Sequence, residues 1–212
     1  MSVTGVALIL FLTFHMSMNI AALFSGEAYN MICEFLGANW YALVATLGLA
    51  ALAVIHIIYA FWLTMQNRKA RGNERYAVTT RPAGVEWSSQ NMLVLGIIII
   101  LGLLLHLFNF WYNMMFAELT GITVAHDPAD GYAYIVDTFA CPVYVVLYIV
   151  WIVALWFHLT HGFWSAMQTF GWSGKTWFCR WKVIGIVYST LLCLGFLVVV
   201  LWFAAKGLCG CC

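Results

Sequence analysis

Charge is what this chain has least of. Asp, Glu, Lys and Arg make up 8% of its 212 residues, where a soluble domain carries about 25%. So few charges cannot cover a water-facing surface, and a soluble globular enzyme is excluded. Basic surplus is lacking too: nine Lys and Arg stand against eight Asp and Glu. That balance leaves no excess to hold phosphates and argues against a nucleic-acid binder. A disordered chain is excluded by the opposite extreme, a hydrophobic content of 65%. There is no internal repeat, no low-complexity tract and no second domain, so residues 1–212 read as one unit.

What is present is a set of long apolar runs. Five are long enough to cross a bilayer core of about 30 Å as helices: 3–23, 40–63, 91–115, 143–167 and 182–205. None contains Asp or Glu. The expected fold is an all-α integral membrane protein with five transmembrane helices in one bundle. The first run lacks a basic segment before it and a clear small-residue cleavage site after it, so it reads as an uncleaved helix rather than a signal peptide.

The connections carry an orientation signal. Arg68, Lys69, Arg71, Arg75 and Arg81 lie in 64–90, and Lys175, Arg180 and Lys182 in 168–182. Segments 24–39 and 116–142 hold no Lys or Arg; they carry Glu27, Glu34, Glu118, Asp127, Asp130 and Asp137. Lys206 is the one basic residue on the other side. Excess Lys and Arg marks the cytoplasmic side, which places the N-terminus inside. The expected location is the bacterial inner (cytoplasmic) membrane, crossed five times.

Five of the six histidines fall in the apolar runs: His15, His56, His106, His158 and His161. A polar, ionisable side chain there is a functional signal by default. Helices one to four each supply at least one, and helix five none. Depth along the helices sorts them. His15 lies roughly 18 Å and His106 roughly 22 Å from the cytoplasmic ends of their helices. His56 and His161 lie roughly 24 Å and 27 Å from the outer ends of theirs. Two layers result, His15 with His106 toward the outside and His56 with His161 toward the inside, roughly 15 Å apart in depth. That arrangement suits two bis-histidine haems. Zinc or non-haem iron usually needs three or more converging ligands, often with a carboxylate. On helix four, Gly162 favours His161 as the ligand, because a missing side chain lets a flat macrocycle approach; His158 is then a neighbour.

These residues resemble a known family. SVTGVALILFLTFHM around His15, HIIYAFWLTMQNRKAR from His56, WSSQNMLVLGIIIILGLLLHLFNFWYNM through His106 and LWFHLTHGFWSAMQTFGW around His161 are similar to the single-polypeptide dihaem cytochrome b subunit of succinate:quinone oxidoreductases, that is, fumarate reductase or succinate dehydrogenase. The resemblance spans most of residues 2–172; the fifth helix matches only as an apolar span. It implies a five-helix anchor with two haems b, His15 and His106 on the distal haem, His56 and His161 on the proximal one. It also implies a quinone site, usually for menaquinone, near the distal haem. A flavoprotein subunit and an iron–sulfur subunit are then expected on the cytoplasmic face. The cytochrome b subunit of a formate dehydrogenase or hydrogenase is the alternative within the same chemistry.

Quinol oxidation releases protons as well as electrons, so a base is expected near the outer layer. Glu34, just before helix two, is the preferred catalytic carboxylate, with Glu27 and His126 as weaker candidates. Trp87, Ser89, Gln90 and Ser2 mark the cytoplasmic starts of helices three and one, where aromatic and polar residues commonly line the interface. Seven cysteines form no disulfide framework, and the terminal Cys209, Cys211 and Cys212 fit no pattern.

Overall fold

The computed structural model describes residues 1–37, 39–72 and 86–209, leaving out the side chains of Arg71 and Cys209. Arg75, Arg81, Cys211 and Cys212 lie outside the described residues. The chain forms α1 (Ser2–Ile20, closed by a 3-10 turn at Ala21–Leu23), α2 (Gly26–Phe35), α3 (Trp40–Arg71), α4 (Trp87–Gln90) and α5 (Met92–His106). A π-helical stretch (Leu107–Phe116) continues α5 into α6 (Ala117–Thr120). Then follow α7 (Gly131–Ala140), α8 (Pro142–Thr169) and α9 (Lys175–Cys209). Among the described residues there is no strand.

Five stretches are long and apolar enough to cross a membrane: Ser2–Leu23, Trp40–Ala70, Met92–Thr120, Pro142–Thr169 and Lys175–Leu208. A helix pairs its own backbone groups internally, which is what hydrocarbon demands. Two helices outrun the apolar stretch that revealed them. α3 continues through MQNRKAR, and α9 starts at Lys175 rather than near 182. Hydropathy marks where the bilayer lies; the helix persists past it because Met, Gln, Lys and Arg are good helix formers.

The two acidic connections are not simple loops. α2 is capped by Ser25, whose side chain accepts from the Ala28 N–H at 3.2 Å, and α7 by Asp130, which accepts from Ala133 at 3.1 Å. The two short helices are tied together. Asn30 Nδ2 donates to Asp130 Oδ1 at 2.7 Å, and Asn30 Oδ1 accepts from the Tyr132 N–H at 2.9 Å. Gly131 makes this approach possible, because a Cβ there would overlap the Cys33 sulfur and crowd Tyr29. Together α2 and α7 cap the face opposite the N-terminus.

The tightest packing joins α8 to α9, with α1 and α7 alongside. Its buried cluster includes Ile9, Ile135, Phe139, Tyr148, Ile152, Leu192 and Phe203. α3 packs mainly on α1, and α5 on α8. By contrast, α1 makes no extended backbone contact with α5, nor α3 with α8. Leu10, Leu47, Ile58, Leu101, Val146 and Leu191 are exposed. In a bilayer such side chains face lipid, and van der Waals packing between helices replaces the hydrophobic effect as the cohesive force.

Candidate functional site

The histidines of the apolar spans meet between helices whose backbones make no extended contact among the described residues. His15 of α1 and His106 of α5 approach with ring centroids 5.7 Å apart, nearly perpendicular at 87°. His56 of α3 and His158 of α8 approach at 6.4 Å, tilted by 59°. His15 and His106 are therefore brought together as their depth predicts.

The second pair differs from the expectation. His158, not His161, is the α8 imidazole beside His56. His56 and His158 each lie sixteen residues after the first residue of their helix, and the second and fourth spans run the same way, so the two parallel helices hold them level. His161 stands about 4.5 Å further along α8 and about 60° around its axis. That rotation turns it to the membrane-face end of α4: its Nδ1 is 3.5 Å from Glu86 Oε2, and its ring packs edge-on to Trp164 at 5.0 Å. The space around Gly162 is open, with no atom within 4 Å of where a Cβ would stand.

Aromatic rings wall the His15–His106 pair. His15 stacks on Phe11 at 5.4 Å, and Phe196 lies 5.9 Å away. Phe110 and Trp151 flank His106 at 5.1 and 5.6 Å, with Tyr148 at 6.3 Å. Trp151 reaches this position by lying on the α5 backbone, where its indole N–H donates to the Ile99 carbonyl at 3.1 Å. Gly102 is the reason it fits, since any side chain at that position would occupy the indole ring. His106 is the last α-helical residue before the π-helical stretch, a rare geometry that frequently marks functional sites. Asn113 supports that stretch, its Nδ2 donating to the Phe108 and Asn109 carbonyls at 3.0 and 3.1 Å.

The ring spacing of each pair is close to what two imidazoles on one metal ion would show. A metal–imidazole bond of about 2 Å on each side of one ion puts two ring centroids roughly 6 Å apart. The observed 5.7 and 6.4 Å bracket that figure. Nδ1 of His106, of His158 and of His161 is buried with no hydrogen-bond partner among the described residues, and an unpaired buried polar atom calls for an explanation. No group of three or more His, Cys, Asp or Glu among the described residues could hold a metal ion. The donors at these two places are imidazole pairs alone.

A polar cluster lies at the N-terminal face, and sequence inspection passed over its centre. Glu86 accepts from Lys182 Nζ at 2.8 Å and from the Trp164 indole at 3.2 Å. Burial alone would raise the Glu86 pKa, but Lys182, Trp164 and His161 outweigh it, so the carboxyl stays below its ordinary range. Lys182 also lies over the Trp164 and Phe178 rings at 4.8 Å. Trp87 packs on Phe157 at 5.1 Å and Ser88 is buried, whereas Ser89 and Gln90 are exposed.

On the opposite face, Glu34 and Glu27 are exposed on α2, and no described contact links Glu34 to the His15–His106 pair. An apolar groove lies beside them, lined by Phe14, Met18, Met31, Ile32, Phe35 and Leu36. His126 is engaged locally: its Nε2 is 2.6 Å from Asp137 Oδ2, and its carbonyl accepts from the Tyr134 hydroxyl at 2.9 Å. Cys33, Cys141, Cys179 and Cys193 are free thiols, and burial pushes the Cys33 thiol up to about 11.

No family model, curated protein or solved structure matches the chain. The fold and its polar residues define the class by themselves: an all-α chain with five helices able to span a membrane, holding two facing imidazole pairs between helices whose backbones make no extended contact among the described residues.

Proposed function

We propose that the chain is the dihaem cytochrome b membrane subunit of a succinate:quinone oxidoreductase, working as a fumarate reductase or succinate dehydrogenase. In this reading it passes electrons between membrane menaquinol and an iron–sulfur subunit. The observation that carries the haem assignment is the pair of imidazole pairs, each set across an interhelical gap at a centroid distance matching axial ligation. Sites built between facing helices of a bundle are where such cofactors are held. The specific oxidoreductase type rests on the motif resemblance around the histidines.

His15 and His106 hold the haem toward the face opposite the N-terminus, and His56 and His158 the one toward the N-terminal face. When bound, a haem with two axial imidazoles carries single electrons and leaves no open position for oxygen or substrate. The surrounding Phe, Trp and Leu side chains exclude water. That exclusion, together with hydrogen bonds to the imidazoles, sets the potential. Glu34 is the proposed base for quinol protons at the opposite face; its exposed carboxylate can pass them to water. The Lys and Arg bias places the N-terminal face in the cytoplasm, where a flavoprotein subunit and an iron–sulfur subunit dock.

Pyridine haemochrome analysis of the purified complex tests this reading. About two haems b per chain are expected from two ligand pairs, and a value near zero refutes it. Mass spectrometry of the co-purified subunits separates the succinate or fumarate type from a formate dehydrogenase or hydrogenase type.

A further inference from the structure

The N-terminal turn of α1 touches the His56 ring in a way that determines where its proton resides. Thr4 is buried, and its hydroxyl makes two short contacts: 2.8 Å to the Met1 carbonyl and 3.0 Å to His56 Nδ1. A hydroxyl has one hydrogen and two lone pairs. The Met1 carbonyl can only accept, so the single hydrogen of Thr4 goes there. Thr4 oxygen must then accept from His56, which requires the proton on Nδ1. Any other assignment sets two acceptors against each other at hydrogen-bond distance in a partly buried site. The neighbouring Gly5 has its Cβ position 3.6 Å from His56 Cε1, so α1 bears on the same Nδ1–Cε1 edge of the ring.

We infer that Thr4 is a positioning residue: it holds His56 as the Nδ1–H tautomer and leaves Nε2 as the lone-pair nitrogen for an axial ligand. The consequence for the cofactor rests on the haem reading proposed above. A ligand imidazole that donates its other N–H to an oxygen is fixed in orientation and becomes more basic. A more basic ligand stabilises the oxidised iron, so Thr4 lowers the potential of the haem at the N-terminal face. His106 and His158, whose Nδ1 atoms have no such partner among the described residues, receive no equivalent bias.

Thr4→Val keeps the shape and removes the hydroxyl; Thr4→Ser keeps the hydroxyl. The tautomer is read by solid-state nitrogen-15 NMR of the full-length chain in bilayers without added haem, with His56→Gln to identify the signal. Protonated Nδ1 at His56 is expected in the parent and Thr4→Ser chains, and loss of that preference in Thr4→Val. Redox titration of the haem-loaded chain should show one of two potentials raised in Thr4→Val and both near parental in Thr4→Ser. A His56 protonated on Nε2 in the parent overturns the inference, as does a Thr4→Val chain with unchanged tautomer or unchanged potentials. Should the tautomer be as expected while no haem is bound, the assignment of Thr4 to the His56 tautomer stands and the haem reading falls.

Discussion

Removing one imidazole at a time from α8 separates two residues only three positions apart. His158 and His161 differ by about 4.5 Å in height and about 60° in direction. In the structure that difference sends His158 to His56 at a centroid distance of 6.4 Å and His161 to Glu86 at 3.5 Å. On the haem reading proposed above, His158→Ala would remove one of the two residues holding the haem at the N-terminal face, and the haem content should fall from about two to about one per chain. His161→Ala leaves both pairs intact and should keep about two. Since the two pairs share no residue and stand on different helix pairs, losses should add: His15→Ala with His158→Ala should leave about zero. Pyridine haemochrome gives the stoichiometry, and a redox titration of each variant shows whether one transition or two remain. If His161→Ala loses a haem while His158→Ala keeps both, the pairing seen between α3 and α8 is not the ligating one.

Glu34→Gln keeps the shape and removes the base, so quinol turnover should fall about a hundredfold, as for loss of a general base, while haem content stays parental. Equal turnover in the variant refutes the assignment. Asn30→Ala removes its bonds to Asp130 and Tyr132 and should lower stability by about 2 kcal/mol, measured by denaturant titration of circular dichroism in detergent. No change would mean that the α2–α7 tie contributes nothing. Glu86 has a lowered folded pKa, so its contribution to stability is full above its ordinary value of 4.5 and is lost as pH falls through and below it. Thermal melts should show that acid loss in the parent and a flatter profile in Glu86→Gln; matching profiles refute the linkage. Labelling of engineered cysteines from the periplasmic side should reach a site at Gly26 and not one at Gly72, as the Lys and Arg bias requires; the reverse pattern inverts the assigned orientation.

Much of the scaffold was legible because apolar length is a direct signal of a membrane span, and all five stretches recur in the structure. The first histidine pair was legible because depth alone brings His15 and His106 level. Depth could not choose between His158 and His161, since 4.5 Å is close to the error of a helix boundary read from hydropathy. Rotation about the helix axis makes the choice, and it depends on which neighbours α8 packs against. One signal was available: His158 and His56 share the same offset from their helix starts. The short helices α2 and α7 were also missed, although Ser25 and Asp130 are N-cap residues followed by helix-compatible stretches. Glu86 escaped notice because a carboxylate in a basic connection looks like an ordinary solvated charge until Lys182 and Trp164 are brought to it by α9 and α8.

That cluster bears on the choice within α8. Glu86 stands immediately before α4, Lys182 near the start of α9, and Trp164 and His161 on the last turns of α8. An ion pair at 2.8 Å with an indole hydrogen bond at 3.2 Å ties three chain segments at one membrane face. Successive steps of three residues each turn about 60° the same way, so with Trp164 and His161 beside Glu86, His158 stands about 60° from His161 and about 120° from Trp164. With that face turned to α4 and α9, the face carrying His158 is turned to α3. The polar contacts at the surface thereby agree in direction with the apolar packing of Tyr148, Ile152 and Leu159, and together they turn an imidazole about 4.5 Å deeper along the same helix toward α3.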